Sequence, residues 1–512
     1  MVKPALIVTS VATVSPTDVE YSPSVYEGGE LERQYVYGYY PESDQQHGRN
    51  AVDWDGPNDP ENPYNWTVKK KFANIATLSV VTFLMPLGSS IFAPGIESVM
   101  KEFNSTNEPL SSFVVSVYFL AFAFCPLVFG PLSEVYGRMP FYHIANVLFV
   151  LANVACALAS SLEWLIIFRL FAGGCGSVSL VLGCGTIPDM IRQEFRGRVS
   201  SAWAMGILLG PSVAPIIGGY LIQAKGWRWT FWLLAIVGGA VTLGTAIFMR
   251  ESYHPVLLAR KAERLRKETG NPNLRSVLEI DKSAKGLLIR SIIRPTRILF
   301  MSPIAFLLSI YIAIAYGYLY ILYTTVPTLF RDTYNFSVGT VGVSYLGMGI
   351  GALLGAAFTG ITSDRLLHRL SRKSGVMKPE YRLPPMFVGA FCIPIGLFWY
   401  GWSAEKEAHY MVPIVGSMWI SFGIFTAFIT IATYLVDTYT TYAASATAAN
   451  SFLRSLGAAL LPLCGPQMFK TLGLGWGSSM LAFIAIAMIP FPFILYRYGE
   501  QIRKSPRWDI KL

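Results

Sequence analysis

Two arginines stand in stretches that are otherwise apolar: Arg169 in FRLFAGGCGS, residues 168–177, and Arg454 in NSFLRSLGAALLPLCGP, residues 450–466. A guanidinium in such surroundings is costly and stays protonated. It can contact an anionic or polar ligand, join a network that couples to protons, or spend its donors on backbone carbonyls. Arg169 lies about 6 Å from the expected end of its helix, close enough to snorkel to the interface. Arg454 lies deeper in its segment, and facing a central cavity is weighed there against a helix–helix hydrogen bond. A second set of residues pairs acids with bases where apolar segments end. GPLSEVYGRMP (130–140) supplies Gly130, Glu134 and Arg138; TIPDMIRQEFRGR (186–198) supplies Asp189; GITSDRLLH (360–368) supplies Asp364; YLVDTY (434–439) supplies Asp437. Ion pairs among such groups can latch one arrangement of helices and break in another. Asp189 and Asp437 are expected to pair with Arg138 and with the arginines of 192–198, while a simple polar helix end is the plainer reading. Enzyme chemistry finds no footing: the five histidines are dispersed, with no HExxH spacing and no P-loop. The six cysteines fall in apolar segments without CxxC spacing, so no metal site, disulfide framework or cofactor is expected.

The elements that position these residues follow from hydropathy. The chain has 512 residues, 53% of them apolar and only 14% charged, with mean hydropathy +0.44, whereas soluble proteins are about 25% charged. About twelve segments reach the roughly 20 apolar residues that a membrane span requires. An all-α membrane protein of two six-helix halves is predicted. Its parts are an acidic, disordered tail (1–66), a first half (67–249), a basic linker (250–302), a second half (303–496) and a short tail (497–512). The tail's ALIVTSVATV is too short to span, and no cleaved signal peptide is expected. Lysine and arginine alternate between loops, thirty on the side of the termini against six on the other, which places both termini in the cytosol. The net charge of +10 therefore reflects topology, and no nucleic-acid partner is expected. Two sequons, at Asn104 and Asn335, fall in expected outside loops as possible N-glycosylation sites; a third, at Asn65, falls inside. In the linker, Leu258, Ala262 and Leu265 recur at helical spacing among basic residues, giving an amphipathic helix that is either a solvated linker or a lipid-binding surface.

The fifth segment carries GILLGPSVAPIIGG, in which Gly206, Gly210, Pro211, Pro215, Gly218 and Gly219 would weaken a helix in water. In lipid they are tolerated, and they suggest a kinked hinge whose small faces admit a helix of the other half. The halves share a trace of repetition: Gly130 matches Gly360, Ser133 matches Ser363 and Glu134 matches Asp364. Parallel six-span repeats are a transporter signature.

From these motifs the chain, after residue 66, resembles the major facilitator superfamily. GPLSEVYGRMP resembles the family's loop motif between spans two and three, with Glu134 in place of the commoner aspartate. FRLFAGGCGS is similar to its span-four motif, with Arg169 and Gly173 matching and Ala172 replacing a frequent glutamine. GILLGPSVAPIIGG resembles the span-five motif of twelve-span drug:proton antiporters. RESYHPVLLARKAERLRKETGN (250–271) and NPYNWTVKKK (62–71) look like fungal members of that branch. The resemblance implies a monomeric transporter in the plasma membrane. It would work by alternating access, exporting a drug, toxin or secondary metabolite in exchange for protons; an importer of a nutrient or organic anion, or a polyamine exporter, is the alternative. Away from their ends the expected spans contain no Asp or Glu, which disfavours a polycation and favours a neutral, amphipathic or anionic small molecule. Tyr316, Tyr320 and Tyr323 share a helical face and are expected to line a cavity, with packing as the alternative. The proton carrier is left among Glu134, Asp189, a tyrosine network and the cargo itself.

Overall fold

The computed structural model describes residues 50–56, 58–278, 284–376, 378–439 and 443–504. Most of the expected N-terminal tail (1–49) and the end of the C-terminal one (505–512) therefore lie outside the described residues. The chain divides into two compact units. Among the described residues the smaller joins 50–54 with 258–278; in it Ala51–Val52 pairs in parallel with Arg275–Ser276. Residues 50–66 were expected to be part of a disordered tail, but they carry this strand and a 3-10 turn at Pro63–Asn65, with Trp66 buried. The expected amphipathic helix runs from His254 to Thr269 and stops at Gly270, whose φ of 69° suits glycine. Of its apolar residues Leu258 and Ala262 are fully buried and not free to enter lipid, while Leu265 is partly exposed.

The larger unit holds every membrane span. Among the described residues, eleven helical runs are long and apolar enough to cross a bilayer. The last, Ser445–Arg503, is 59 residues long, about 88 Å at ~1.5 Å per residue, far beyond a hydrocarbon core of about 30 Å. It breaks at Gly473, whose φ 77° and ψ 171° are not helical, so it is two spans and the total is twelve. Spans 1 to 6 are Val68–Ser90, Glu108–Tyr136, Arg138–Ala157, Leu162–Met190, Gln193–Lys225 and Arg228–Phe248. Spans 7 to 10 are Pro303–Asp332, the pair Val338–Ser344 and Leu346–Ser374, Pro384–Glu405, and Met411–Tyr439. Span 11 begins as Ala443–Leu460, and span 12 occupies the chain from Gly473 through Pro490–Lys504. A further helix, Ala284–Met301, precedes span 7.

Several spans start where sequence supplies a cap. Thr67, Asn107, Ser161, Ser302 and Ser337 each accept a hydrogen bond from the amide three residues on, opening spans 1, 2, 4, 7 and 8. Between spans, close approach depends on missing side chains, and span 5 shows this most sharply. A Cβ at Gly218 would sit 1.8 Å from the carbonyl oxygen of Ile91, and one at Gly210 would sit 2.9 Å from that of Phe83. Both face span 1 or its end, inside the same half. Gly219 alone of the segment's glycines meets the other half, with Val338 O at 2.7 Å from its missing Cβ, and Gly342 of span 8 answers it against Pro215 O. The expectation that the whole motif faces the other half is therefore corrected. Gly206 and Gly130 meet only ordinary contacts at 3.5 Å, so neither is a point of exceptional approach. Nor is the expected kink present as a break, since span 5 runs as one helix through Pro211 and Pro215.

Gly218→Ala is expected to destabilise the protein by about 1–3 kcal/mol through overpacking, whereas Gly244→Ala, with nothing near its added carbon, should not destabilise it. Thermal unfolding of the detergent-solubilised chain measures both; equal midpoints would contradict the packing described.

Candidate functional site

The two intramembrane arginines differ in how they are satisfied. Span 4 begins at Leu162, so Arg169 sits about 10 Å in and does not snorkel: it is 1% exposed. Its Nε donates to Val114 O at 2.6 Å, and Nη2 donates to Ser89 O at 3.1 Å and Val115 O at 3.4 Å. Phe92, Tyr118 and Phe231 surround it at cation–π range. In this conformation the side chain is spent on carbonyls of spans 1 and 2, which is the structural alternative rather than contact with a ligand. Arg454 is also buried, yet its Nε has no hydrogen-bond partner. Its guanidinium lies 4.6 Å from the ring centre of Tyr316 and 5.2 Å from that of Phe428.

Prolines expose backbone carbonyls that tyrosines then capture. Pro215 has no N–H to give to Pro211, four residues earlier. The freed Pro211 oxygen instead accepts from Ser90 Oγ of span 1 at 3.1 Å and from the Tyr323 hydroxyl of span 7 at 3.2 Å. Pro327 in turn cannot donate to Tyr323 O, which accepts from the Tyr345 hydroxyl at 2.8 Å, with the Tyr323 and Tyr345 rings stacked at 5.3 Å. Tyr320 packs its ring 4.4 Å from Phe119 and its hydroxyl 3.4 Å from Ser89 Oγ. Tyr320 and Tyr323 were expected to line a cavity; both are instead buried where the two halves meet. Only Tyr316 of that trio sits beside Arg454. At the end of the bundle opposite the termini, further bonds cross between halves: Arg331 pairs with Glu97, and Gln223 Oε1 accepts from Gly339 N at 3.0 Å and Ser337 Oγ at 3.3 Å.

At the end bearing the termini, each half closes its own network. Arg138 Nε donates to Asp189 Oδ2 at 2.6 Å. Glu251, just after span 6, accepts from the Arg138 and Met139 amides at 3.2 and 3.1 Å, capping span 3. His254 Nε2 donates to Asp189 O at 2.9 Å, and the Tyr64 hydroxyl donates to Pro188 O at 3.1 Å. In the second half Arg382 takes the place of Arg138, bonding Asp437 and, at 2.9 Å, Asp364. Burial opposes the charge of Arg382, but the bonds and charges of these two carboxylates outweigh it and raise its pKa. Asp437 therefore does not pair with Arg138 or Arg192, and the side chains of Arg196 and Arg198 lie outside those described. Glu134 is exposed and forms no ion pair among the described residues; Arg138 is committed to Asp189 instead. Arg382, Glu251, His254 and Tyr64 were not singled out. Arg382 is far from Gly360 in sequence where Arg138 is near Gly130, so the repeat hid it. Glu251 and Tyr64 stood in plain sight in RESYHP and NPYNW.

The two sequon asparagines are exposed and hold φ of 50° (Asn104) and 54° (Asn335). Each ends a helix in the left-handed region that asparagine tolerates, which gives the residue type a structural reason in both halves.

The sequence model of the Major Facilitator Superfamily matches residues 78–462, from within span 1 to within span 11. The chain is 54% identical to the MFS-type transporter penM of Penicillium rubens, over 90% of this chain and 91% of the relative. It is 48% identical to the efflux pump radE of Floropilus chiversii, over 90% and 86%. Its fold is similar to the partially occluded inward open conformation of the xylose transporter XylE from E. coli, with TM-score 0.63 and 16% identity, covering 84% of this chain and 98% of that one. Twelve spans in two halves, paired charge networks at equivalent helix ends and relatives of this closeness converge on one conclusion: the chain is a secondary transporter and belongs to the Major Facilitator Superfamily.

Proposed function

We propose that this transporter exports a small amphipathic metabolite, toxin or drug across the plasma membrane in exchange for protons, with both termini in the cytosol. The observation that carries the direction is the 48% identity to the efflux pump radE, and the uneven placing of the bonds between halves supports alternating access. Bonds between halves gather at the end opposite the termini, around Pro211, Tyr323, Arg331 and Glu97. The networks of Arg138 and Arg382 stay within their own halves. Such a molecule accepts cargo from the side of its termini, the side of greater Lys and Arg content. The relative named an efflux pump supports the same direction. Gly130, Glu134, Arg138, Asp189, Asp364 and Asp437 act as the gate on the open side. Glu134 is the acid best placed to exchange protons, since its carboxylate carries no ion pair among the described residues, whereas protonating Asp189 would break its bond to Arg138.

Cells expressing the chain should retain less of a fluorescent amphipathic acid than cells lacking it, and an uncoupler should abolish the difference. Glu134→Gln should remove the response to the uncoupler while leaving surface delivery unchanged. Raised net uptake on expression would contradict export. A second test concerns the closed end. Tyr323→Phe removes one of the two hydrogen bonds at Pro211 O, worth about 1 kcal/mol, and should shift the population of open far-side states roughly fivefold. Alkylation of Ser89→Cys, buried at 0% exposure, by an impermeant maleimide applied from the far side reports that shift; an unchanged rate would remove Tyr323 from the gate.

A further inference from the structure

Arginine inside this protein has two fates, and the contrast between them identifies a binding subsite. Arg169 is given three carbonyl acceptors by spans 1 and 2. Arg454 receives none at Nε, and among the described residues no carboxylate lies within ion-pair distance of it, although it is only 9% exposed. A buried cation with an unused donor is expensive, and a buried polar group without a partner calls for an explanation. The explanation has a second observation behind it. Asn450 lies one turn earlier on span 11, on the same face of the helix, is 3% exposed, and its Oδ1 also has no partner. One donor and one acceptor therefore stand unpaired on adjacent turns of one span, with the rings of Tyr316 and Phe428 beside the guanidinium.

We infer that Arg454 and Asn450 form the polar end of the cargo site and that the cargo is an organic anion built on a flat apolar body. Its anionic oxygen takes the Arg454 Nε hydrogen, a neighbouring hydroxyl or N–H donates to Asn450 Oδ1, and its apolar body packs among the aromatic rings. This inference rests on the reading of the chain as an exporter of small amphipathic molecules, and it narrows that class to anions. It gives Arg454 a reason to be charged where no acid among the described residues pairs with it. It also assigns Asn450, a residue that neither motif nor repeat singles out, the part of distinguishing hydroxylated acids from plain ones.

The test uses the purified full chain in nanodiscs and four fluorescent probes of one shape: 3-hydroxy-2-naphthoate, 2-naphthoate, 2-naphthamide and 2-naphthylmethylamine. Binding, read by fluorescence anisotropy, should be tighter for the acids than for the amide by at least about tenfold, as a charge-assisted bond implies, with the hydroxy acid first. Arg454→Gln should bring the acids down to the level of the amide. Asn450→Asp places a carboxylate one turn from the guanidinium; it should likewise abolish the preference for acids and raise binding of the amine, which a merely structural role would not produce. If Arg454→Gln does not fold, Asn450→Asp decides. Equal binding of acid and amide, acid binding unchanged in either variant, or no binding by any probe would overturn the inference. Because binding is read without transport, acids that bind as expected but are carried inward by the same chain would support the subsite and contradict export alone.

Discussion

The carbonyl oxygen of Pro211 has no helical donor, because the residue that should supply one is also a proline. In an apolar bundle such an oxygen must find a partner or cost several kcal/mol. It finds two: Ser90 from the same half and Tyr323 from the other. The next proline repeats the device, since Pro327 frees Tyr323 O and Tyr345 satisfies it. The oxygen freed in span 5 thus becomes a point at which one half of this transporter is tied to the other, while the one freed in span 7 ties that span to span 8 within the second half. The bond across the halves is made by a hydroxyl that can rotate away, so the tie can be released without leaving a helix irreparably unsatisfied.

The same requirement, that every buried polar group be satisfied, separates structure from site elsewhere. Arg169 is met by carbonyls and rings and holds spans 1, 2 and 4 together. Arg138 and Arg382 are met by carboxylates at equivalent places, and they brace each half at the end bearing the termini. Arg454 Nε and Asn450 Oδ1 are left without a hydrogen-bond partner in the second half, beside Tyr316 on span 7. Where the chain satisfies its own charges it builds a rigid half; where it does not, it leaves a place for something that comes and goes.

Much of this was legible in sequence. Hydropathy gave the count of spans and their division into two sixes, and the Gly130 to Arg138 and Asp189 stretches pointed to charged helix ends. What could not be read was which neighbour each residue would meet. Periodicity places Gly218 and Gly219 side by side but cannot say that one faces Ile91 and the other Val338. A shared helical face made Tyr316, Tyr320 and Tyr323 look like a cavity wall, because the need of Pro211 O for a donor arises only when span 7 meets span 5. Arg382 escaped notice because the loop before it is longer than its counterpart before Arg138. An error of three residues in the start of span 4 was enough to put Arg169 within reach of the interface when it is buried.

The central claim is that bonds between the halves gather at the end of the bundle opposite the termini, and that transport exchanges this tied end for the other. Spin labels across the halves report this directly, one pair at exposed Lys225 and Thr340 on the far side and one at exposed Phe195 and Arg372 on the side of the termini. Across a pH series in nanodiscs, the account predicts that the first distance lengthens as the second shortens. Two distances that stay fixed, or that lengthen together, would contradict it.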